Sequence, residues 1–367
     1  MNVEVTQENL AKALQNVARV ASSRTNLEIL NNILIRTTGK QLFLAATNLE
    51  IATTQRIGAK ITTQGSITIP AKLITEFIGN LPKGTVRLEV KNNSITIISG
   101  AYKSIINGSK DDDFPELPDI NEKTATHLTL NPEVFKKAVN QTVITASNDT
   151  TRPVLTGVFV HTFNNHLFFA ATDGYRLAEK CVMMTRKDIS AIIPTTTLQE
   201  VIRTTTDETE NIELLLDDTQ VRFRFNDNEI TSRLIDGNFP DYRQLIPEKN
   251  NTTSVVEVDD FLRVSKIAAL FARDAGGVVT ITVDDKKDNL TLHSVATELG
   301  ENTSDIPAQN SGEIGSVNLN SRYLIEALNV AEDTSIQFAF SGPLAPCILM
   351  SASKNSDYTH IIMPIKS

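Results

Sequence analysis

At 367 residues the chain is long enough for two or three domains of roughly 100–200 residues, each with its own buried core. A formal net charge of −9 argues against a broad basic surface that grips nucleic acid, and two isolated cysteines, Cys181 and Cys347, argue against a secreted disulfide framework and for a reducing cytoplasm. No run of about 18 apolar residues is present to span a membrane, and Met1–Leu14 reads as no signal peptide.

In chain order, Val3-Glu4-Val5-Thr6 reads as a strand leading into a helix over Glu8–Val20. Leu42-Phe43-Leu44-Ala45-Ala46-Thr47-Asn48 is a strand running into a turn. Thr68-Ile69-Pro70 then precedes a second helix over Ala71–Ile78, and Val86–Val90 alternates as a strand. Phe114-Pro115 closes the segment. The same order starts again at Leu128-Thr129-Leu130-Asn131, with Asn131 as N-cap and Pro132 as first residue of a helix over Pro132–Val143. Leu167–Asp173 repeats the strand and turn. Ile192-Ile193-Pro194 precedes a helix over Thr195–Arg203, Val221–Phe225 alternates, and Phe239-Pro240 closes. A third copy starts at Val255–Asp259 with a helix over Asp260–Phe271. It keeps the strand Leu290–Ser294, a helix over Ser321–Val330 and the alternating run Ser335–Phe340.

Starts recurring about every 125 residues match ordinary domain size. Three repeats follow, 1–121, 127–247 and 253–367, joined at Ile120–Ala125 and Pro247–Thr253. The class is α+β, with two helices against antiparallel sheets in each repeat.

No phosphate-loop, zinc-helix or nucleophile-elbow motif occurs, and the five histidines have no metal-ligand spacing. Asp111-Asp112-Asp113 lacks the spaced pattern of a hard-cation loop and reads as a solvated acidic turn. Cys181 and Cys347 read as small buried hydrophobes. No catalytic residue, metal or cofactor is expected.

Longer motifs carry a resemblance. Ala171-Thr172-Asp173-Gly174-Tyr175-Arg176-Leu177-Ala178 and Leu234-Ile235-Asp236-Gly237-Asn238-Phe239-Pro240-Asp241-Tyr242-Arg243 are similar to signature segments of the bacterial DNA polymerase III beta subunit. Arg152–Val158, Phe340–Leu344 and Ile361–Ile365 complete the set, so the match spans all three repeats. The resemblance implies three clamp domains per chain and a head-to-tail homodimer ring with helices lining the hole. Twelve helices spaced about 9 Å apart give a ring of roughly 35 Å diameter, enough for a duplex and a layer of water.

It also implies a sliding clamp that encircles DNA and tethers the replicative DNA polymerase, docking the clamp loader and repair proteins by short peptides. A topological link needs no tight grip, so the acidic balance fits. Sparse basic residues remain on the helices: Lys12, Arg19, Lys72, Lys136, Lys137, Arg203, Arg263, Lys266 and Arg322, which also read as ordinary solvated faces. Arg24, Lys72 and the loop Asp149, Arg152, Pro153, Val154 match DNA-contacting positions.

The peptide cleft would be walled by Leu155, Thr172, Gly174, Arg176, Leu177, Pro240, Leu245, Ile361, Met363, Pro364 and Ile365. Arg176 would serve as a polar rim contact, and core packing is the competing reading for Leu155, Leu177 and Met363. The dimer joint would set Ser104, Ile105 and Ile106 against Leu270 and Phe271. Three departures from the family stand out: Gln244 at a position that can be basic, the ending Lys366-Ser367, and Leu27-Glu28-Ile29 where a proline is usual. Two other readings stay open. One is a three-module structural or adhesion protein, which would be expected to carry a secretion signal. The other is an enzyme using Asp173 or Asp236 as general base.

Overall fold

The computed structural model describes residues 1–21, 27–247, 249–273, 276–284, 288–298, 300–353 and 357–366. Among them are six α-helices: α1 Gln7–Ala21, α2 Ala71–Gly79, α3 Pro132–Val143, α4 Thr195–Thr204, α5 Val258–Ala272 and α6 Ser321–Asn329. Each starts within two residues of its expected position. Pro132 opens α3, and Asn320 caps α6 by accepting from the backbone N–H of Arg322 at 3.0 Å. Burial follows helical spacing. Leu10, Ala13, Leu14, Val17 and Ala21 of α1 are sealed while Lys12 and Arg19 face solvent. None of the described helices is long and apolar enough to cross a membrane.

The chain forms two compact units, Met1–Pro132 with Thr196–Leu234, and Glu133–Thr195 with Ile235–Ser367. Each takes in part of the middle repeat, because sheets run across the repeat junctions. In the first unit, Asn228–Arg233 of the second repeat pairs antiparallel with Ile51–Gly58 of the first, making one eight-stranded sheet. In the second unit, Tyr358–Ile362 of the third repeat pairs antiparallel with Arg176–Met184 of the second, within a twelve-stranded sheet. A separate five-stranded sheet in the first unit ends at the edge strand Tyr102–Asn107.

The first connecting segment is pinned rather than loose. Ile120 is buried, the Arg222 guanidinium donates to the Pro118 carbonyl at 3.2 Å, and Arg224 pairs with Glu122 at 2.6 Å. Of the two cysteines, Cys347 is sealed in the third-repeat core with Phe338 and Phe340, whereas Cys181 is only partly covered. Its backbone N–H donates to the Asp357 carbonyl at 2.7 Å, and burial raises its thiol above the usual range.

Gly312 shows how tightly the strands are fitted. Its φ is +95°, and an added Cβ would stand 1.9 Å from the Asn251 carbonyl oxygen. Gly312→Ala is expected to cost about 3 kcal/mol or more, measurable as a lowered urea midpoint at unchanged slope.

Candidate functional site

The turn after the strand His166–Thr172 is built by side-chain acceptors. Thr172 Oγ1 accepts from the Gly174 N–H at 3.0 Å. Asp173 Oδ1 accepts from the N–H groups of Tyr175 and Arg176, at 2.8 and 3.0 Å. Both Asp173 oxygens are thus engaged, since Oδ2 takes the Arg176 Nε at 3.0 Å. These bonds make Asp173 a turn former. The first repeat makes the same turn. Thr47 Oγ1 accepts from Leu49 N–H at 3.1 Å, and Asn48 Oδ1 from Ile51 N–H at 2.8 Å. The difference lies at its tip, where Leu49 holds φ +76° and Gly174 holds +94°. Gly174 therefore leaves bare backbone where the first repeat carries a side chain.

Strand pairing brings the two distant ends of the expected cleft together. Arg176 lies opposite Ile362 and Leu177 opposite Ile361, and the Met363 N–H donates to the Tyr175 carbonyl at 2.8 Å. The Ile365 N–H donates to the Asn318 carbonyl at 2.8 Å, fixing the C-terminal residues. The segment Phe239–Ile246 crosses the sheet as a strap. Its Tyr242, Phe239 and Ile246 pack on Ala170, Leu177, Ile348 and Ile361. Pro240 and Leu245 face outward from it.

Leu155 and Leu177 are buried, as their competing reading of core packing has it, and Ile361 is buried as well, so all three support the surface from beneath. The exposed apolar residues are Pro240, Leu245 and Tyr175, with Met363, Pro364 and Ile365 half-covered. Arg176 is not a rim donor. It is buried at 5% exposure, pairs with Asp173 and Glu326, and lies 4.3 Å over the Tyr323 ring. Arg152 bends back to Asp149 at 3.0 Å, and its Nη1 would lie 3.5 Å from a Cβ at Gly174. Its side chain thus borders the bare turn and stays exposed. Tyr175, Tyr323 and Glu326 were missed by sequence reasoning. Tyr323 and Glu326 sit on α6, and nothing in their spacing links them to a turn 150 residues earlier.

Of the other expected residues, Arg24 lies outside the described residues. Lys72 is exposed at the start of α2, beside an open cavity of about 530 Å³ lined by Ala18, Arg19, Pro70 and Ala71. Pro153 is exposed and Val154 half-covered, with Val154 Cγ1 where a Cβ at Gly237 would fall. Much of the basic charge on the helices is internally paired: Arg19 with Glu200, Lys137 with Glu332, Arg203 with Glu200, Arg263 with Asp260, and Arg322 with Glu326. Glu200 is held above the usual carboxylate range by burial, which Arg19 partly offsets. Lys12, Lys72, Lys136 and Lys266 are exposed with no ion pair among the described residues.

On the edge strand Tyr102–Asn107, Ser104 is half-covered and Ile105 is 64% exposed, but Ile106 is buried. Strand alternation turns Ile106 into its own core, so the large apolar side chains offered outward are Ile105 and, at the strand's start, Tyr102. Leu270 is 61% exposed on α5 and Phe271 is half-covered.

The three domains of the DNA polymerase III beta subunit match in order: N-terminal at residues 1–118, central at 129–241 and C-terminal at 243–366. The beta sliding clamp of Bacillus subtilis is 30% identical over 380 residues, covering all of both chains. This chain belongs to the DNA polymerase III beta subunit family. The beta sliding clamp of Synechococcus elongatus is likewise 30% identical, over all of this chain and 99% of the relative. In three dimensions the chain is similar to the crystal structure of the Bacillus subtilis DNA polymerase sliding clamp. That match has a TM-score of 0.95 at 28% identity, over all of this chain and 99% of that one. A Bartonella birtlesii sliding clamp bound to griselimycin matches with a TM-score of 0.93 at 26% identity, over all of both chains. Within this beta subunit fold, Gln244 and Lys366 are exposed, and Leu27 precedes a short 3-10 turn, Glu28–Asn31, that takes in Glu28 and Ile29.

Proposed function

We propose that two copies of this chain close head to tail into a ring around duplex DNA. The ring would act without catalysis, tethering the replicative polymerase and receiving the clamp loader and repair proteins at the cleft around Gly174. One observation supports the ring above all. Twice within the chain, a repeat's last strand extends the sheet of its neighbour, once at Asn228–Arg233 and once at Tyr358–Ile362. The equivalent strand of the first repeat, Tyr102–Asn107, has no strand on its outer side among the described residues. The first half of Gly300–Gly312 has none either, since only its second half pairs with Thr252–Glu257. A second copy would satisfy both edges by the same joint. Their side chains suit it, with Lys103 on one edge and Glu301 and Asp305 on the other.

The helices follow the same rule. Arg19 of α1 meets Glu200 of α4, and Gln141 of α3 donates to the Val330 carbonyl just after α6, at 3.1 Å. That leaves α5, with exposed Ile267 and Leu270, to meet α2 of the other copy, with exposed Leu73.

Five of the nine helix basic residues are paired with carboxylates, which leaves a sparse positive charge and supports a link that is topological rather than adhesive. Clamps loaded on nicked circular DNA are expected to survive 0.5 M salt and to leave when the circle is linearised. Phosphate binding alone would fall steeply with salt whatever the topology. Retention on linear DNA equal to that on circles would end the ring proposal. For the cleft, griselimycin, seen on the Bartonella birtlesii clamp, is the chosen probe. Its displacement by peptides from polymerase and loader would test the partner set.

A further inference from the structure

The strap that carries Pro240 and Leu245 is held to the sheet without a backbone ladder. Among the described residues, the backbone hydrogen bonds of 236–247 close its own turn, Leu245 N–H to Tyr242 O at 2.9 Å and Ile246 N–H to Arg243 O at 3.1 Å. Side chains hold it instead. Phe239 stacks on Phe159 with ring centres 4.9 Å apart, and Phe159 stacks on His161 at 4.5 Å. Tyr242 and Arg243, lying between the two outward residues, converge on one carboxylate. The Tyr242 hydroxyl donates to Glu179, and the Arg243 guanidinium stands 2.7 Å from the same oxygen.

The surroundings make that carboxylate decisive. Glu179 is buried in the strand Arg176–Met184, three residues after Arg176. Arg243 lies over Phe163 and Phe168, at 4.1 and 4.3 Å; neither its Nε nor its Nη2 makes a hydrogen bond, so its hold on Glu179 is an ion pair. Among the described residues Glu179 is its only anionic partner. His161 Nε2 lies 2.7 Å from the Tyr242 oxygen. Because that hydroxyl is spent on Glu179, the imidazole must donate, which sets its neutral Nε2–H form. Burial, and secondly the Arg243 charge, hold His161 down at about 4, so it stays neutral at physiological pH.

We propose that Glu179 is a positioning residue for the partner cleft: it locks the strap through Tyr242 and Arg243 so that Pro240 and Leu245 stand as a preformed wall. The proposal rests on the cleft reading above. Preformed walls bind tightly because less ordering is left to binding. A strap pinned mainly by one carboxylate and its aromatic stack would lose that order without unfolding the unit.

The test compares griselimycin affinity across the full-length protein and four variants. Glu179→Leu and Arg243→Met break the lock and are expected to bind roughly tenfold more weakly. Glu179→Gln keeps an acceptor for Tyr242 and is expected to recover part of the loss. Phe261→Leu loosens the third-repeat core away from the strap and serves as the stability control. It should lower the melting temperature comparably while leaving affinity within about twofold. Hydrogen exchange should rise over 239–246 in Glu179→Leu and not in Phe261→Leu. If Glu179→Leu binds like the wild type, or Phe261→Leu weakens binding as much, the positioning role is overturned while the cleft stands. If the wild-type protein itself fails to bind griselimycin, the cleft reading falls and this inference with it.

Discussion

Leu270→Ala combined with Phe271→Ala is expected to give a folded monomer that no longer stays on circular DNA. The effect should be large because each side chain would be used twice, once at each of two identical joints. Burying a leucine or phenylalanine contributes about 1.5–3 kcal/mol. Since both are already partly covered in the single chain, about half of that is available at each joint, and losing two of them at two joints removes roughly 3–6 kcal/mol, a weakening of about 10²- to 10⁴-fold in dimer dissociation. Leu270 is 61% exposed in the single chain, so its truncation should barely change the chain's own stability. Phe271 is half-covered, and its loss should cost on the order of 1 kcal/mol there. Leu270→Ala alone thus separates assembly from folding. The measurement is sedimentation mass from nanomolar to micromolar protein. A double variant that remains dimeric at nanomolar concentration would remove both residues from the joint, and Leu73→Asp on α2 probes the opposite side.

Acidification from pH 7 toward pH 4 is expected to destabilise the second unit steeply. Two buried histidines lie there. His161 is lowered to about 4 by burial and then by Arg243; His360, fully enclosed beside Tyr358, is lowered to about 3 by burial and then by Arg176. A lowered folded-state value means the unfolded chain takes up the proton first. Stability from each histidine is therefore complete above about 6.5 and is lost as pH falls from there toward the folded value, at about 1.4 kcal/mol per unit. His161 alone accounts for about 3 kcal/mol over that window. Glu179 works against this, because burial raises its value. Its contribution is present at low pH and lost as pH rises through the folded value. His161→Phe should lower stability at pH 7 by about 1 kcal/mol, through the lost Tyr242 bond, while flattening the slope between pH 6.5 and 4. Urea midpoints of both proteins at pH 7, 5.5 and 4.5 give the answer. Parallel slopes would show that His161 is not the group responsible.

Most of the helices were legible because their signals are local. A cap such as Asn131, a proline at position 132 and apolar spacing of three and four describe a helix before anything packs on it. The turn Thr172-Asp173-Gly174 was legible for the same reason, since its hydrogen bonds join residues two to four apart. The burial of Ile361 was not, and for Leu177 the sequence left core packing and cleft wall both open; only the strap laid over them decides that they face inward. Ile106 is the converse case. Its neighbour Ile105 has the same side chain and the opposite fate, because strand register assigns one face to the core.

The sequence by itself determined the threefold repeat, the α+β class, the family and the turn chemistry, all of which are written in short-range patterns or in long ordered motifs. Only the tertiary structure decided where charge is spent. Arg176 closes on Glu326, Arg243 on Glu179 and Arg222 on Asp119, pairs separated by 150, 64 and 103 positions. Coulomb interaction depends on distance in space and on burial, and neither is fixed by separation along the chain. That is why the burial of Arg176, read as a cleft rim, was hidden in the sequence: its second carboxylate, Glu326, lies 150 positions away, even though its partner Asp173 is only three positions off.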